Sequence, residues 1–201
     1  MAGSWEPPDN DGWERSTVGF AFYHSLVDDP PEHAAPVLEL LGRIAASWSR
    51  MEHHLDALII QVNKPEHDPA LFESHPVSFS KKVELLKRWF YNYSPLADDK
   101  EDIKWLAQKL GELANERPNK PLSRNVLLHS IPASFDAEKQ ELTLHHMKVT
   151  DSEILSRHIV IPMEGLRAFA DAIQLANTFL RHITELLFTD EGYAKISRKP
   201  E

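Results

Sequence analysis

Two long segments of this chain step their apolar residues by three and four, a spacing that only an α-helix turns into one continuous face. In the first, Leu41, Ile44, Trp48, Met51, Leu55, Leu58 and Val62 form the stripe. It follows Pro36, whose fixed φ suits the first turn of a helix. In the second, running from about Met163 to Phe188, the inward positions are Leu166, Phe169 or Ala170, Ile173, Ala176, Leu180, Ile183 and Leu187, with Gly192 a suitable stop. A helix with one apolar stripe must bury it against a neighbour, and the cheapest neighbour is another such helix.

Two shorter segments supply those neighbours. One begins near Ser78 or Ser80, either able to cap free amides, and carries Val83, Leu86, Phe90 and Tyr93 up to Ser94-Pro95. The other begins after Asp98-Asp99, carries Ile103, Leu106, Leu110 and Leu113, and closes before Pro118. A short helix is expected from about Leu122 to Ser130. From Ser134 to Val149 the alternation of Leu142 and Leu144 with polar residues reads as a small hairpin, and His158 to Ile161 is a candidate for one more strand. The expected fold is therefore mainly α: an antiparallel bundle of four main helices with a small β-hairpin insertion.

Residues 1–17 mix Gly, Pro, Asp, Asn and Ser without a sustained period and read as a mobile tail. Val18 to Leu26 is a short apolar stretch, stopped by Asp28-Asp29-Pro30-Pro31, that suits one or two helical turns. Residues 18–190 are expected to form a single domain and residues 191–201 a C-terminal tail. With 201 residues and 42% hydrophobic side chains, a sizeable core is available to that one domain.

Composition then narrows the chemistry. The chain has no cysteine, which excludes disulfides, thiolate nucleophiles and sulfur-ligated metals. No stretch approaches the roughly 18 apolar residues that span a bilayer, and the N-terminus lacks the basic flank and apolar run of an export signal. A cytoplasmic protein without membrane attachment is expected. A net charge of −9 argues against broad, sequence-independent binding to nucleic acid, leaving room only for a local basic site.

The most pointed local pattern is Arg124-Asn125-Val126-Leu127-Leu128-His129. On a helix, Asn125 and His129 are i and i+4, so Asn125 is placed to hold the imidazole, while Arg124 lies roughly 140° around the axis from His129. Val126, Leu127 and Leu128 give the segment an apolar side with which to pack. A histidine titrates near neutrality and exchanges protons; a guanidinium fork suits a phosphate and the charge that develops when it is attacked. Together they suit RNA cleavage in which the ribose 2′-hydroxyl is the nucleophile and no metal is needed. Arg117, Lys120 and Arg124 form a basic cluster where a phosphate backbone would touch. Requiring Asn directly after Arg and one fixed spacing to His gives a chance expectation of roughly 0.02 in a chain of this composition.

That motif, preceded by a long helix with Glu52 beside its stripe and followed by another long helix, resembles the HEPN domain superfamily over roughly Val37 to Phe188. The resemblance implies a helical bundle, commonly homodimeric, with the motifs of two subunits meeting at a cleft. Many members are metal-independent endoribonucleases of toxin–antitoxin or phage-defence systems; others bind nucleotides or proteins without cutting. By position, Arg124 would stabilise the scissile phosphate, His129 would be general acid or base, Asn125 would orient it and Glu52 would support them. No cofactor is implied; the partners implied are a second copy, an RNA substrate and an antitoxin or regulatory protein.

Other patterns are ordinary. His53-His54 and His145-His146 are adjacent pairs, which diverge on a helix and point to opposite faces of a strand, so neither is a ready metal site. Glu52 and Asp56 are an i, i+4 carboxylate pair, better read as a structural polar contact. Trp89-Phe90-Tyr91 and Tyr93 after Lys87-Arg88 fit core packing at helical spacing better than base stacking. There is no Gly-rich phosphate loop and no nucleophile elbow.

Overall fold

The computed structural model describes residues 14–15, 27, 30–62, 78–92, 100–115, 122–149 and 154–187. The protein is mainly helical with a small antiparallel sheet. Helix α1 (Ala35–Val62) follows a single 3-10 turn at Glu32–Ala34, in which the Ala34 amide bonds the Pro31 carbonyl at 2.8 Å. Its buried face is Val37, Leu40, Ile44, Trp48, Met51, Leu55, Leu58 and Ile59. Leu41, expected inside, is only half-buried: Leu40 takes the core position and Leu41 borders a groove.

Helix α2 (Phe79–Asn92) starts where Ser78 presents its carbonyl to the Lys82 amide at 3.0 Å and its hydroxyl to the Lys81 amide at 3.4 Å. Phe79, Val83, Leu85 and Leu86 are buried. Helix α3 (Lys100–Ala114) carries Glu101 and Asp102 in its first turn, where the helix dipole favours negative charge, and buries Ile103, Leu106, Leu110 and Leu113. After the short helix α4 (Arg124–Leu128) and the sheet comes α5 (Met163–Leu187), which buries Leu166, Phe169, Ile173, Ala176, Leu180 and Ile183. Helix α1 packs on α5 and α2, and α3 packs on α2 and α5. Asn177 of α5 donates to the Ser47 carbonyl of α1 at 2.9 Å, and the Trp48 and Phe79 rings meet at 4.8 Å.

The candidate strand at His158 to Ile161 is present and longer than expected, which makes the β part larger than a hairpin. Strands β2 (Ser130–Asp136), β3 (Glu141–Val149) and β4 (Ile154–Pro162) form an antiparallel meander, and β1 (Glu14–Arg15), inside the stretch read as a tail, pairs with Leu155 and Ser156 on the far edge of β4. The correction has a physical reason. Ile159 and Ile161 are buried beside Leu144 and Leu142 while Val160 is exposed, so β4 doubles the apolar face that the hairpin alone would leave half-covered. Pro132, which lacks an N–H, sits at a register shift on the edge strand β2.

The β2–β3 turn is held by Asp136, whose carboxylate accepts from the Glu138 and Lys139 amides at 3.0 Å each, and by Gln140 at φ 55°. The Gln140 carbonyl then accepts from the Met163 amide at 2.8 Å, tying the turn to the start of α5. The side chains of Val62, Phe90 and Leu187, together with Tyr93, residues 18–26 and residues 191–201, lie outside the described residues. Among the described residues no helix is long and apolar enough to cross a membrane.

Candidate functional site

Helix α4 exists because Ser123 caps it. The wholly buried Ser123 hydroxyl accepts the Val126 amide at 3.2 Å, its carbonyl accepts the Leu127 amide at 3.0 Å, and Val126 is driven into the core. The helix ends at Leu128, and His129 is its C-cap, at φ −106° and ψ 12°, with its amide on the Asn125 carbonyl at 3.1 Å. It is thus shorter than the expected Leu122 to Ser130.

Arg124 is half-buried and held from several sides. Its Nη1 donates to Asn125 Oδ1 at 3.1 Å, its Nη2 lies 3.8 Å from Glu52 Oε2, and its guanidinium stands 5.8 Å from the centre of the Trp48 ring. Glu52 Oε2 also accepts from Trp48 Nε1 at 3.2 Å, while Glu52 Oε1 is 4.0 Å from Lys82 Nζ. Lys82 in turn sits 2.7 Å from Asp56 Oδ1 and 2.8 Å from Asp56 Oδ2. The network joins α1, α2 and α4 and balances two cations with two carboxylates. Arg124 Nε is buried and has no hydrogen-bond partner among the described residues.

Asn125 does something other than expected. Its side-chain oxygen is taken by Arg124, and its side-chain amide donates to Asn115 Oδ1 beyond the end of α3 at 3.4 Å, so the Asn125 side chain orients Arg124 and makes no hydrogen bond to the His129 ring. The Asn125 carboxamide is engaged at both ends, by the Arg124 guanidinium and by the Asn115 side chain, and neither partner is predictable from helical spacing. The His129 ring is exposed and hydrogen-bonds no described residue. Glu52, read from the sequence as a supporting residue, pairs with Arg124 and Trp48 and not with His129. Arg117 and Lys120 lie outside the described residues.

A groove of about 530 Å³ opens beside this network. Ser49, Glu52 and Arg124, with the Trp48 indole, form its polar part; Leu41, Leu127 and Phe169 are among the apolar side chains that make most of its wall. On the neighbouring sheet, His146 faces inward, with Nδ1 2.9 Å from Ser130 Oγ, and is paired in register with both Ser130 and Arg157. His145 points to the opposite face, buried and stacked on His158 at 5.1 Å. Burial, reinforced by the His158 charge, holds the His145 pKa below the ordinary histidine value. The adjacent histidines therefore belong to two unrelated environments, and among the described residues no group of three or more metal-ligating side chains converges.

Sequence reasoning missed Lys82 and the Ser130–His146 contact. The signal for Lys82 was present: it falls on the apolar stripe of α2, between Phe79 and Leu86, where an unpaired lysine has no place. The Ser130 contact is fixed only by strand register. Compared with protein-family models, curated proteins and solved structures, the chain matches none.

Proposed function

We propose that this chain is a HEPN-like, metal-independent endoribonuclease, in a toxin–antitoxin or phage-defence setting, that works as a homodimer. The observation that carries this reading is the division of labour on α4. Arg124 is held in place by Asn125 and Glu52 in the wall of a groove, while the exposed His129 at the helix end has a ring that no described residue engages. A fixed guanidinium stabilises the charge that builds on a phosphorane, and an accessible imidazole exchanges a proton with the attacking 2′-hydroxyl or the leaving 5′-oxygen. The P–O5′ bond breaks as the 2′-O–P bond forms, so the products are a 2′,3′-cyclic phosphate and a free 5′-hydroxyl.

A second reading, a non-catalytic HEPN-like module that binds a protein or nucleotide, is favoured by one observation: the groove wall is mostly apolar, and the Arg124 charge is already shared with Glu52. The two readings separate when purified wild type and His129→Ala are incubated with total RNA in EDTA. Fragments ending in 2′,3′-cyclic phosphate, formed by wild type alone, are expected for the enzyme. Intact RNA with both proteins moves the reading to the module.

A further inference from the structure

On the side of α1 away from the motif, a second groove of about 380 Å³ lies between α1 and α5. Arg43 and Arg50 enter it from α1 and Arg167 from α5, with Ser47, Asp171 and Gln174 also in its wall. None of the three guanidinium groups is ion-paired or hydrogen-bonded to a described residue, although other basic side chains, Lys82, Lys87 and Lys109 among them, are paired with acids. Three arginines against Asp171 leave the groove with an excess of two positive charges in a chain of net charge −9. Concentrating unpaired cations in one concavity costs mutual repulsion, which a bound anion removes.

The groove is built on a fixed frame. The Asn177 amide on the Ser47 carbonyl at 2.9 Å locks α5 to α1 at its wall, so the arginine stems start from rigid positions. Arg43 and Arg50, seven residues apart, are separated by about 10 Å along the helix axis, room for more than one phosphate group between them. The guanidinium fork matches phosphate oxygens in pairs, and the cavity falls in the lower part of the size range of small-ligand sites. Arg43 stands about 180° around α1 from Glu52, so a ligand here does not share the Arg124 groove of the same subunit.

We propose that this α1–α5 groove is a binding site for phosphate groups, most simply those of a ligand of nucleotide size, separate from the Arg124–His129 site and independent of whether that site cuts RNA. The test is calorimetry with ATP and with pyrophosphate, and fluorescence anisotropy with a labelled single-stranded RNA oligonucleotide. Each probe is applied to the full chain and to Arg43→Ala/Arg50→Ala, Arg167→Ala, Asp171→Asn and His129→Ala. These side chains are exposed, so melting temperatures should stay close to wild type.

The expected result is binding that weakens about tenfold or more in the double variant, strengthens in Asp171→Asn and falls with added salt, with the affinities for ATP and pyrophosphate unchanged in His129→Ala. If RNA alone binds and loses affinity in the same arginine variants, the phosphates recognised are those of an RNA chain, and the site stands. Wild type that binds none of the probes, or binding indifferent to the arginines, overturns the proposal. Because RNA cleavage is read separately through His129→Ala, failure here leaves the proposed function untouched, and the reverse also holds.

Discussion

The ammonium group of Lys82 on α2 lies 2.7 Å from the Asp56 carboxylate on α1, with the lysine side chain only 8% exposed and the aspartate side chain 30% exposed. An enclosed cation is tolerated only when a counter-charge accompanies it, so this pair fixes how α2 sits against α1 just where Glu52 must face Arg124.

Removing one member of that pair is therefore worse than replacing the cation. Asp56→Ala should destabilise the fold by about 2 kcal/mol, below the usual cost of orphaning a fully buried charge because Asp56 is partly in water. Lys82→Met, which fills similar volume without charge, should cost less than about 1 kcal/mol. Urea denaturation of the two variants checks the order; equal losses would show that packing of the lysine stem, not its charge, is what matters.

The two motif side chains should separate in their effect on stability. His129 is exposed and its ring hydrogen-bonds no described residue, so His129→Ala should change the unfolding free energy by less than about 0.5 kcal/mol while abolishing RNA cleavage. Arg124 touches Asn125, Glu52 and Trp48, so Arg124→Ala should abolish cleavage and also cost about 1 kcal/mol. Thermal melts run beside the cleavage assay read both quantities.

Ser123→Ala removes the cap that starts α4 and leaves the Val126 amide without its partner. A loss of about 1 kcal/mol is expected, with reduced cleavage because Arg124 is the first residue of that helix. Cleavage at the wild-type rate in a destabilised Ser123→Ala protein would show that the groove does not depend on the cap.

Acid should weaken the fold through His145. Its folded-state pKa is depressed below the ordinary value of 6.5, chiefly by burial and further by His158, so folding disfavours the charged ring. As pH falls below about 6.5 the unfolded chain takes up a proton that the folded chain refuses, and stability declines until the folded-state pKa is passed. Denaturation curves at pH 7.5 and 5.5 should show a smaller acid loss for His145→Gln than for wild type. An identical slope in both would assign the acid sensitivity to other groups.

Much of this architecture is legible locally. The starts of α2, α3 and α5, and the stripes Ile44, Trp48, Met51, Leu55 and Leu166, Ile173, Leu180, follow from caps, prolines and the helical period, all of which act within a few residues. The site was legible as residues and not as contacts. Arg124, Asn125 and Glu52 do meet, but the Asn125 side chain serves Arg124 and Asn115 instead of the His129 ring, because Asn115, ten residues earlier, is brought beside it by the fold.

By itself, then, the sequence determined which stretches are helical, which faces are apolar, and that a short element, read as about Leu122 to Ser130, would have a packed side and a polar side. Tertiary structure decided the rest: Lys82 as the partner of Asp56 across 26 residues, the full β4 strand against β3, His146 on Ser130, and three arginines from two helices in one groove. The physical reason is range. Helical period and capping are encoded in neighbours along the chain, whereas a charge pair, a strand register or a shared groove depends on which distant surfaces meet when the apolar faces close on one another.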